Sequence, residues 1–229
     1  MNKILTGKTT DHLIYDESIN RYFHKDIYED FLKLKERASS FNIDLYVTSS
    51  FRSFEDQLRI WNEKANGERK IFDDNGIQVD PKSLPERELL ESILRWSAIP
   101  GASRHHWGTD LDIVDKNTWP EGYHVQLTPD EFNEGGPFYE FRKWFDSLIK
   151  NEDGLGFFRP YETDLGGVAP EMWHLSHKKV AYELYTKFTI EVFKTHLEEN
   201  FERMAMSDLL YENIEYYYEN YVVNINRPY

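Results

Sequence analysis

Pro100-Gly101-Ala102-Ser103-Arg104-His105-His106-Trp107-Gly108-Thr109-Asp110-Leu111-Asp112-Ile113-Val114 decides how the rest of the chain is read. The stretch opens on a Pro-Gly turn signal and carries two adjacent histidines. It turns again at Gly108 and then alternates, with Asp110 and Asp112 on one side and Leu111 and Ile113 on the other. Successive side chains of a strand point to opposite faces, so the spacing predicts a strand whose two aspartates share one face. A histidine, a glycine turn and two carboxylates in succession form a ligand pattern, because histidine is the side chain best suited to hold a metal at neutral pH.

A second cluster, Pro170-Glu171-Met172-Trp173-His174, places a carboxylate three residues before a histidine, at the start of a strand expected over Met172 to Ser176. Of the eight histidines, only those in these two clusters sit beside carboxylates at ligand spacing. A hydrolytic zinc takes three protein ligands and keeps one position for water. One histidine and one aspartate from the first cluster, with the histidine of the second, make such a set. Glu171 is then free to take a proton from the attacking water, which the metal acidifies. A developing oxyanion calls for a positive donor in a water-poor site. Arg52, which follows a strand and precedes a helix, is the candidate.

Working outward, Ile27, Phe31, Leu34 and Ala38 recur at helical spacing and predict a helix from about Asp26 to Ser39. Ile43, Leu45 and Val47 alternate as a half-buried strand leading into Thr48-Ser49-Ser50-Phe51-Arg52-Ser53. Ser53 with Asp56, and Ser83 with Glu86, read as capping boxes opening two further helices. The second of these should end near Ile99-Pro100-Gly101. Thr128-Pro129-Asp130-Glu131 starts a short helix, and Phe138, Phe141, Phe145 and Leu148 mark another. Gly154 to Phe158 reads as a short strand. The last fifty residues read as helical, with Val180, Leu184, Phe188 and Val192 as one stripe. A tyrosine-rich stretch from about Ser207 to Tyr221 is expected to close the core, with a dimer contact as the alternative reading. Trp107 and Trp173 are expected on the walls of a cleft.

The chain has 229 residues, 40% hydrophobic and 30% charged, which is the composition of an ordinary globular domain. Its net charge of −14 opposes nucleic acid and anionic lipid as partners. There is no cysteine, so disulfides, thiolate nucleophiles and cysteine-held metals are excluded. No apolar run is long enough to span a membrane, and Met1 to Tyr15 lacks the features of a signal peptide. The chain belongs in the cytoplasm if complete as written, and in the cell envelope if a leader was removed. Oligomeric state is not set by the sequence.

Three blocks resemble those of the zinc D-alanyl-D-alanine carboxypeptidases and dipeptidases, a family that includes the vancomycin-resistance enzymes. The family is related in fold to the Hedgehog N-domain and the lysostaphin-type peptidases. Ser49-Ser50-Phe51-Arg52-Ser53 with Gln57 is similar to its Ser-Gly-Tyr-Arg-Ser and following Gln. Ser103, His105, Gly108 and Asp112 occupy the positions of Ser-x-His-x-x-Gly-x-Ala-x-Asp, and Glu171, Trp173 and His174 those of Glu-x-Trp-His. The resemblance covers about Leu45 to Ser176. It implies that His105, Asp112 and His174 bind Zn2+, that Glu171 is the base, that Arg52 steadies the transition state, and that Ser103 and Gln57 line the substrate site. Asp110 stands where the family has Ala, which puts a second carboxylate beside the expected ligands; spacing favours Asp112. Ser50 replaces a glycine.

The fold implied is α+β: a small antiparallel sheet carrying the zinc site, flanked by helices. Residues 1–176 would form the catalytic domain and 177–229 a helical extension packed on it. The function implied is hydrolysis of peptidoglycan stem peptides, foremost removal of a terminal D-alanine. The same chemistry on another bond, in a D,D-dipeptidase or an endolysin-type endopeptidase, is the neighbouring reading, and the loops Asn66 to Lys82 and Lys116 to Pro137 would shape the cleft that decides it. A non-catalytic zinc or wall-peptide binding module is the reading of another class, and the intact Glu171 argues against it.

Overall fold

The computed structural model describes residues 1–74, 76–151 and 154–227. A short helix α1 (Asn2–Leu5) is followed by a hairpin of β1 (Leu13–Asp16) and β2 (Arg21–His24). Helix α2 (Tyr28–Ser39) leads into strand β3 (Leu45–Ser49), and helix α3 (Phe54–Ala65) into a small hairpin of β4 (Ile71–Phe72) and β5 (Gln78–Val79). Helix α4 (Glu86–Trp96), strand β6 (Asp110–Asp115), and helices α5 (Pro129–Phe132) and α6 (Tyr139–Lys150) come next. Strands β7 (Phe157–Phe158) and β8 (His174–His177) complete the sheets. The chain then runs through helices α7 (Lys178–Tyr185), α8 (Ile190–Glu199), α9 (Ser207–Glu212) and α10 (Ile214–Tyr217) into a π-helical turn, Tyr218–Val222.

The main sheet has four strands in the order β3-β6-β8-β7, all antiparallel, so the fold is α+β with small antiparallel sheets flanked by helices, as the sequence implied. The alternation read in Asp110–Asp115 does what a strand period of two requires. Leu111 and Ile113 of β6, with Leu45 and Val47 of β3 and Leu175 of β8, lie in one core with Phe31 and Leu34 of α2 and Phe141 and Phe145 of α6. The opposite face carries Asp110 and Asp112. Leu45 and Val47 pair with Asp115 and Ile113, but a β-bulge follows, and Ser49 rather than Thr48 faces Asp112. Thr48 fills the irregularity by donating its hydroxyl to the Asp112 carbonyl at 3.0 Å.

A second core joins α3 and α4 to the C-terminal helices. Phe54, Leu58 and Trp61 pack with Leu90, Ile93 and Leu94, and with Ala181, Leu184, Phe193, Leu197, Leu210 and Tyr217. Trp61 also donates its indole N–H to the Ala205 carbonyl.

Local signals explain most element starts. Ser53 caps α3, accepting the Asp56 N–H at 3.1 Å and donating its hydroxyl to the Asp56 carboxylate at 2.6 Å. Thr128 and Glu131 form a capping box on α5, at the expected short-helix start. The Ser83–Glu86 box does not form. Asp80 caps a 3-10 turn at Pro81–Ser83 by accepting the Lys82 N–H, and Ser83 donates to the Asp80 carbonyl, so α4 begins only after Pro85. That helix stops at Trp96, where Ser97 becomes extended, instead of reaching Ile99. The single stripe Val180 to Val192 is split into α7 and α8, because Thr189 starts a new helix by capping Val192. The Gly154–Phe158 strand shrinks to Phe157–Phe158, since Leu155 and Gly156 take left-handed φ values of 49° and 86°. The hairpins β1–β2 and β4–β5 were not read from the sequence; each is short and lacks sustained alternation.

Candidate active site

His105 lies in a 3-10 turn, Arg104–Trp107, that ends at Gly108 with φ of 68°. The left-handed conformation there is one that glycine adopts without strain, and it turns the chain into β6. His105 Nδ1 donates to the Ser50 carbonyl at 2.8 Å, which fixes the tautomer and leaves Nε2 facing Asp112, 3.3 Å from Oδ2.

Asp112 and His174 are register partners across β6 and β8. The His174 ring sits between two aspartates: Nε2 is 3.0 Å from Asp110 Oδ1, and Nδ1 is 3.6 Å from Asp112 Oδ1. Glu171, three residues back, brings Oε2 to 2.9 Å from the same Nδ1. Burial presses the His174 pKa down, but hydrogen bonds to Asp110 and Glu171 and the nearby charges outweigh it and hold it at about 10. Burial likewise raises the Asp112 carboxyl, and the charges of His105, His174 and Arg52 bring it below its ordinary range.

One ligand atom from each of His105, Asp112 and His174 lies within 4.8 Å of the others, and all three residues are buried. Among the described residues, Asp112 Oδ1 is buried without a hydrogen-bond partner. A buried carboxylate oxygen left without a donor is costly, and a cation at the centre of this triangle would satisfy it. Two imidazoles and a carboxylate suit zinc and leave a coordination position open. The donor set therefore fits the metal expected from sequence.

Asp110 is turned away from this triangle. Its carboxylate accepts from Arg104 Nε at 2.8 Å and from the Thr109 hydroxyl at 2.7 Å, while its third partner is the far nitrogen of His174. Arg104 is itself buried, donates to the Ser176 hydroxyl at 2.6 Å and stacks its guanidinium over Trp107.

Arg52 donates from Nη1 to Gln57 Oε1 at 2.9 Å and from Nη2 to the Ser49 hydroxyl at 3.0 Å, with Nη2 4.0 Å from Asp112 Oδ2. Its backbone is held from both sides: the Arg52 N–H donates to the His105 carbonyl, and the Arg52 carbonyl accepts from His106 Nδ1 at 2.7 Å. His106 Nε2 in turn accepts the Gly101 N–H. Burial holds the His106 pKa down at about 3, so the ring is a neutral spacer between the two blocks.

These side chains open on a cavity of about 350 Å³ lined by Arg52, Ser103, His105, Asp112, Glu171 and His174, with Trp173 on its wall. Both long loops contribute: Phe72 and Gly76 from one, Gln126 to Asp130 from the other. Gln57 is fully buried and is not among the lining residues; it links Arg52 to the Ala98 carbonyl at 2.7 Å. Trp107 packs in the α3–α4 core and not on the cavity wall. His177 is also away from the ligand triangle, capping α7 and reaching Asp30 at 3.3 Å.

Tyr161 was missed by sequence reading. Its ring stands edge-on to His174 at 5.1 Å, it lines the cavity, and its carbonyl accepts the Glu171 N–H at 2.8 Å. Arg159 was missed as well. It is buried, donates to the Met172 carbonyl and pairs with Asp146, tying the segment that carries Glu171 to α6. A lone tyrosine and a lone arginine in a loop carry no spacing signal.

The family model of VanY, D-alanyl-D-alanine carboxypeptidase, matches residues 20–180. An uncharacterised protein of Haemophilus influenzae is 32% identical over 127 residues, covering 55% of this chain and 93% of its own length. A D-alanyl-D-alanine carboxypeptidase of Enterococcus faecalis is 27% identical over 144 residues, and the match spans 62% of this chain and 42% of that protein. Among solved structures, VanYB in complex with D-alanine-D-alanine superposes with a TM-score of 0.52 at 22% identity, covering 76% of this chain and 82% of that chain. A vancomycin-resistance D,D-pentapeptidase VanY variant in complex with Zn(II) matches with the same TM-score and identity, over 78% of this chain and 87% of that one. These structural likenesses bear on the fold.

Proposed function

The chain belongs to the VanY family of D-alanyl-D-alanine carboxypeptidases, and from that premise we propose that it is a zinc-dependent peptidase releasing the terminal D-alanine of peptidoglycan stem peptides. The observation that supports this reading is the buried meeting of His105, Asp112 and His174 beside Glu171, on the wall of one cavity. The VanYB relative is described with D-alanine-D-alanine bound, which favours the same substrate class here.

In this reading His105 Nε2, His174 Nδ1 and a carboxylate oxygen of Asp112 would hold the metal. Bound there, Zn2+ supplies a Lewis acid for the scissile carbonyl and lowers the pKa of the attacking water. Glu171 takes the proton from that water and passes it to the departing amine nitrogen, so the amide bond breaks with proton balance kept. Arg52 presents its guanidinium to the oxygen that gains negative charge as the carbonyl is attacked. Gln57 and Ser49 hold that guanidinium in a fixed orientation. Asp110 holds His174 by Nε2 so that Nδ1 points inward, and Arg104 holds Asp110. Ser103 is placed on the wall to meet the bound peptide.

The test is to incubate zinc-loaded protein with a peptide ending in D-Ala-D-Ala and identify the products by mass. Free D-alanine supports the carboxypeptidase, and released dipeptide would replace it with a dipeptidase. No cleavage beyond that of Glu171→Ala would overturn the peptidase reading for this substrate.

A further inference from the structure

Lys64 is a cation on the active-site wall that makes no ion pair among the described residues. It lines the same cavity as Arg52, Glu171 and His174. It stands on α3 seven residues beyond Gln57, the residue that grips Arg52. Two helical turns separate these positions, so both side chains leave the same face of the helix, ~10 Å apart along its axis. Among the described residues, the Lys64 amine has no hydrogen-bond or ion-pair partner. The acidic neighbour on its own helix, Glu63, is taken by Arg59 at 3.2 Å and by Arg69 at 2.8 Å. The other carboxylates on the wall are Asp112 and Glu171, which contact the histidines, and Asp130, which forms no ion pair with Lys64. Burial, with Arg69 and Arg52 nearby, lowers the Lys64 pKa to about 8, against the smaller opposing charge of Glu171, which makes no ion pair with it. In a chain of net charge −14, an unpaired cation in a cleft marks a place built to receive an anion.

We propose that Lys64 anchors the free terminal carboxylate of the substrate, which makes the cleft selective for peptides that end at it. The inference rests on the peptidase reading above and adds to it a residue and a direction of selectivity. A terminal carboxylate is the one group that separates a substrate cut near its end from one cut internally. The lysine stem is long enough to follow that group, and its ammonium makes a charge-assisted contact with it.

The test is a binding measurement, independent of turnover. Zinc-loaded Glu171→Gln protein is titrated calorimetrically with diacetyl-L-Lys-D-Ala-D-Ala and with its C-terminal amide. With Lys64 present the acid should bind ~10–100-fold more tightly than the amide. In Lys64→Met that ratio should fall toward one, and Lys64→Arg should restore part of it. An unchanged thermal midpoint separates loss of contact from loss of fold. Equal binding of acid and amide to the lysine-bearing protein, or an acid preference that survives Lys64→Met, would overturn the proposal. Acid preference without any cleavage by the parent protein would count against the peptidase reading and leave the Lys64 assignment standing.

Discussion

Asp110 Oδ1 stands 3.0 Å from Nε2 of His174, on the side of the ring away from Asp112, whose Oδ1 lies 3.6 Å from Nδ1. The two aspartates that sequence spacing placed on one strand face thus serve the same histidine from opposite sides. Only Asp112 points into the ligand triangle.

That division predicts different losses. On the proposed ligand set, Asp112→Asn should abolish stoichiometric zinc binding, because it removes one of the three proposed ligands. Asp110→Asn should keep the stoichiometry and weaken zinc affinity by ~10–100-fold, as loss of a residue that orients a ligand does. Competition with a chromogenic chelator distinguishes the two, and equal losses would contradict the assignment.

Glu171→Gln keeps the shape of the side chain and removes its basicity. Turnover should fall by ~10²–10⁴-fold while zinc content stays that of the parent. Parallel loss of metal would make Glu171 a ligand instead of a base.

Gln57 was expected to line the substrate site, and the structure places it behind Arg52. Gln57→Ala should therefore lower kcat, because Arg52 loses its Nη1 partner, with a smaller change in KM. A change confined to KM would return Gln57 to direct substrate contact.

Gly101 has φ of 85°, and a Cβ added there would overlap the His196 ring. Gly101→Ala should destabilise the protein by roughly 1–3 kcal/mol, read from urea unfolding. Pairing it with His196→Ala should recover only the steric part of the combined loss, since the backbone strain remains.

Burial lowers the pKa of His196 from 6.5 to about 4. Its folded-state pKa lies below the unfolded value, so the unfolded chain binds the proton more readily as pH falls. The stability that neutral His196 contributes is complete above about pH 6.5 and is lost between there and about pH 4, with a loss of roughly 1–2 kcal/mol already at pH 5. His12 is lowered to about 4 by burial and by His24, and it acts in the same direction. Urea midpoints at pH 7.5 and pH 5 should differ less for His196→Phe than for the parent.

The sheet and the meeting of His105, Asp112 and His174 were legible because both rest on strict spacing. The alternation Asp110 to Val114 fixes a face, and the His-x-x-Gly and Glu-x-Trp-His blocks fix which side chains meet there. Residues with no partner nearby in sequence were not legible. Tyr161 reaches His174 through the tertiary fold, and Arg104 reaches Ser176 across 72 residues. The Ser83–Glu86 pattern misled because Asp80 offered a competing cap three residues earlier. The long stripe from Val180 to Val192 concealed a break, since periodicity alone does not register that Thr189 can begin a helix anew.

The bulge in β3 has a consequence for the reading frame of the sheet. By pairing Ser49 instead of Thr48 with Asp112, one additional residue reverses the parity of everything that follows on that strand. Ser49 lands on the side where its hydroxyl meets Arg52. Closing the bulge with Thr48 kept in the ladder would pair Thr48 with Asp112 and turn Ser49 toward Phe31 and Leu34, sending the arginine's support into oil, whereas deleting Thr48 would leave Ser49 opposite Asp112. One residue inserted between Val47 and Ser49 would therefore be felt as an inversion of face, far more severe than the loss of a single surface residue, whereas loss of Thr48 would keep the face and remove its hydroxyl's bond to the Asp112 carbonyl.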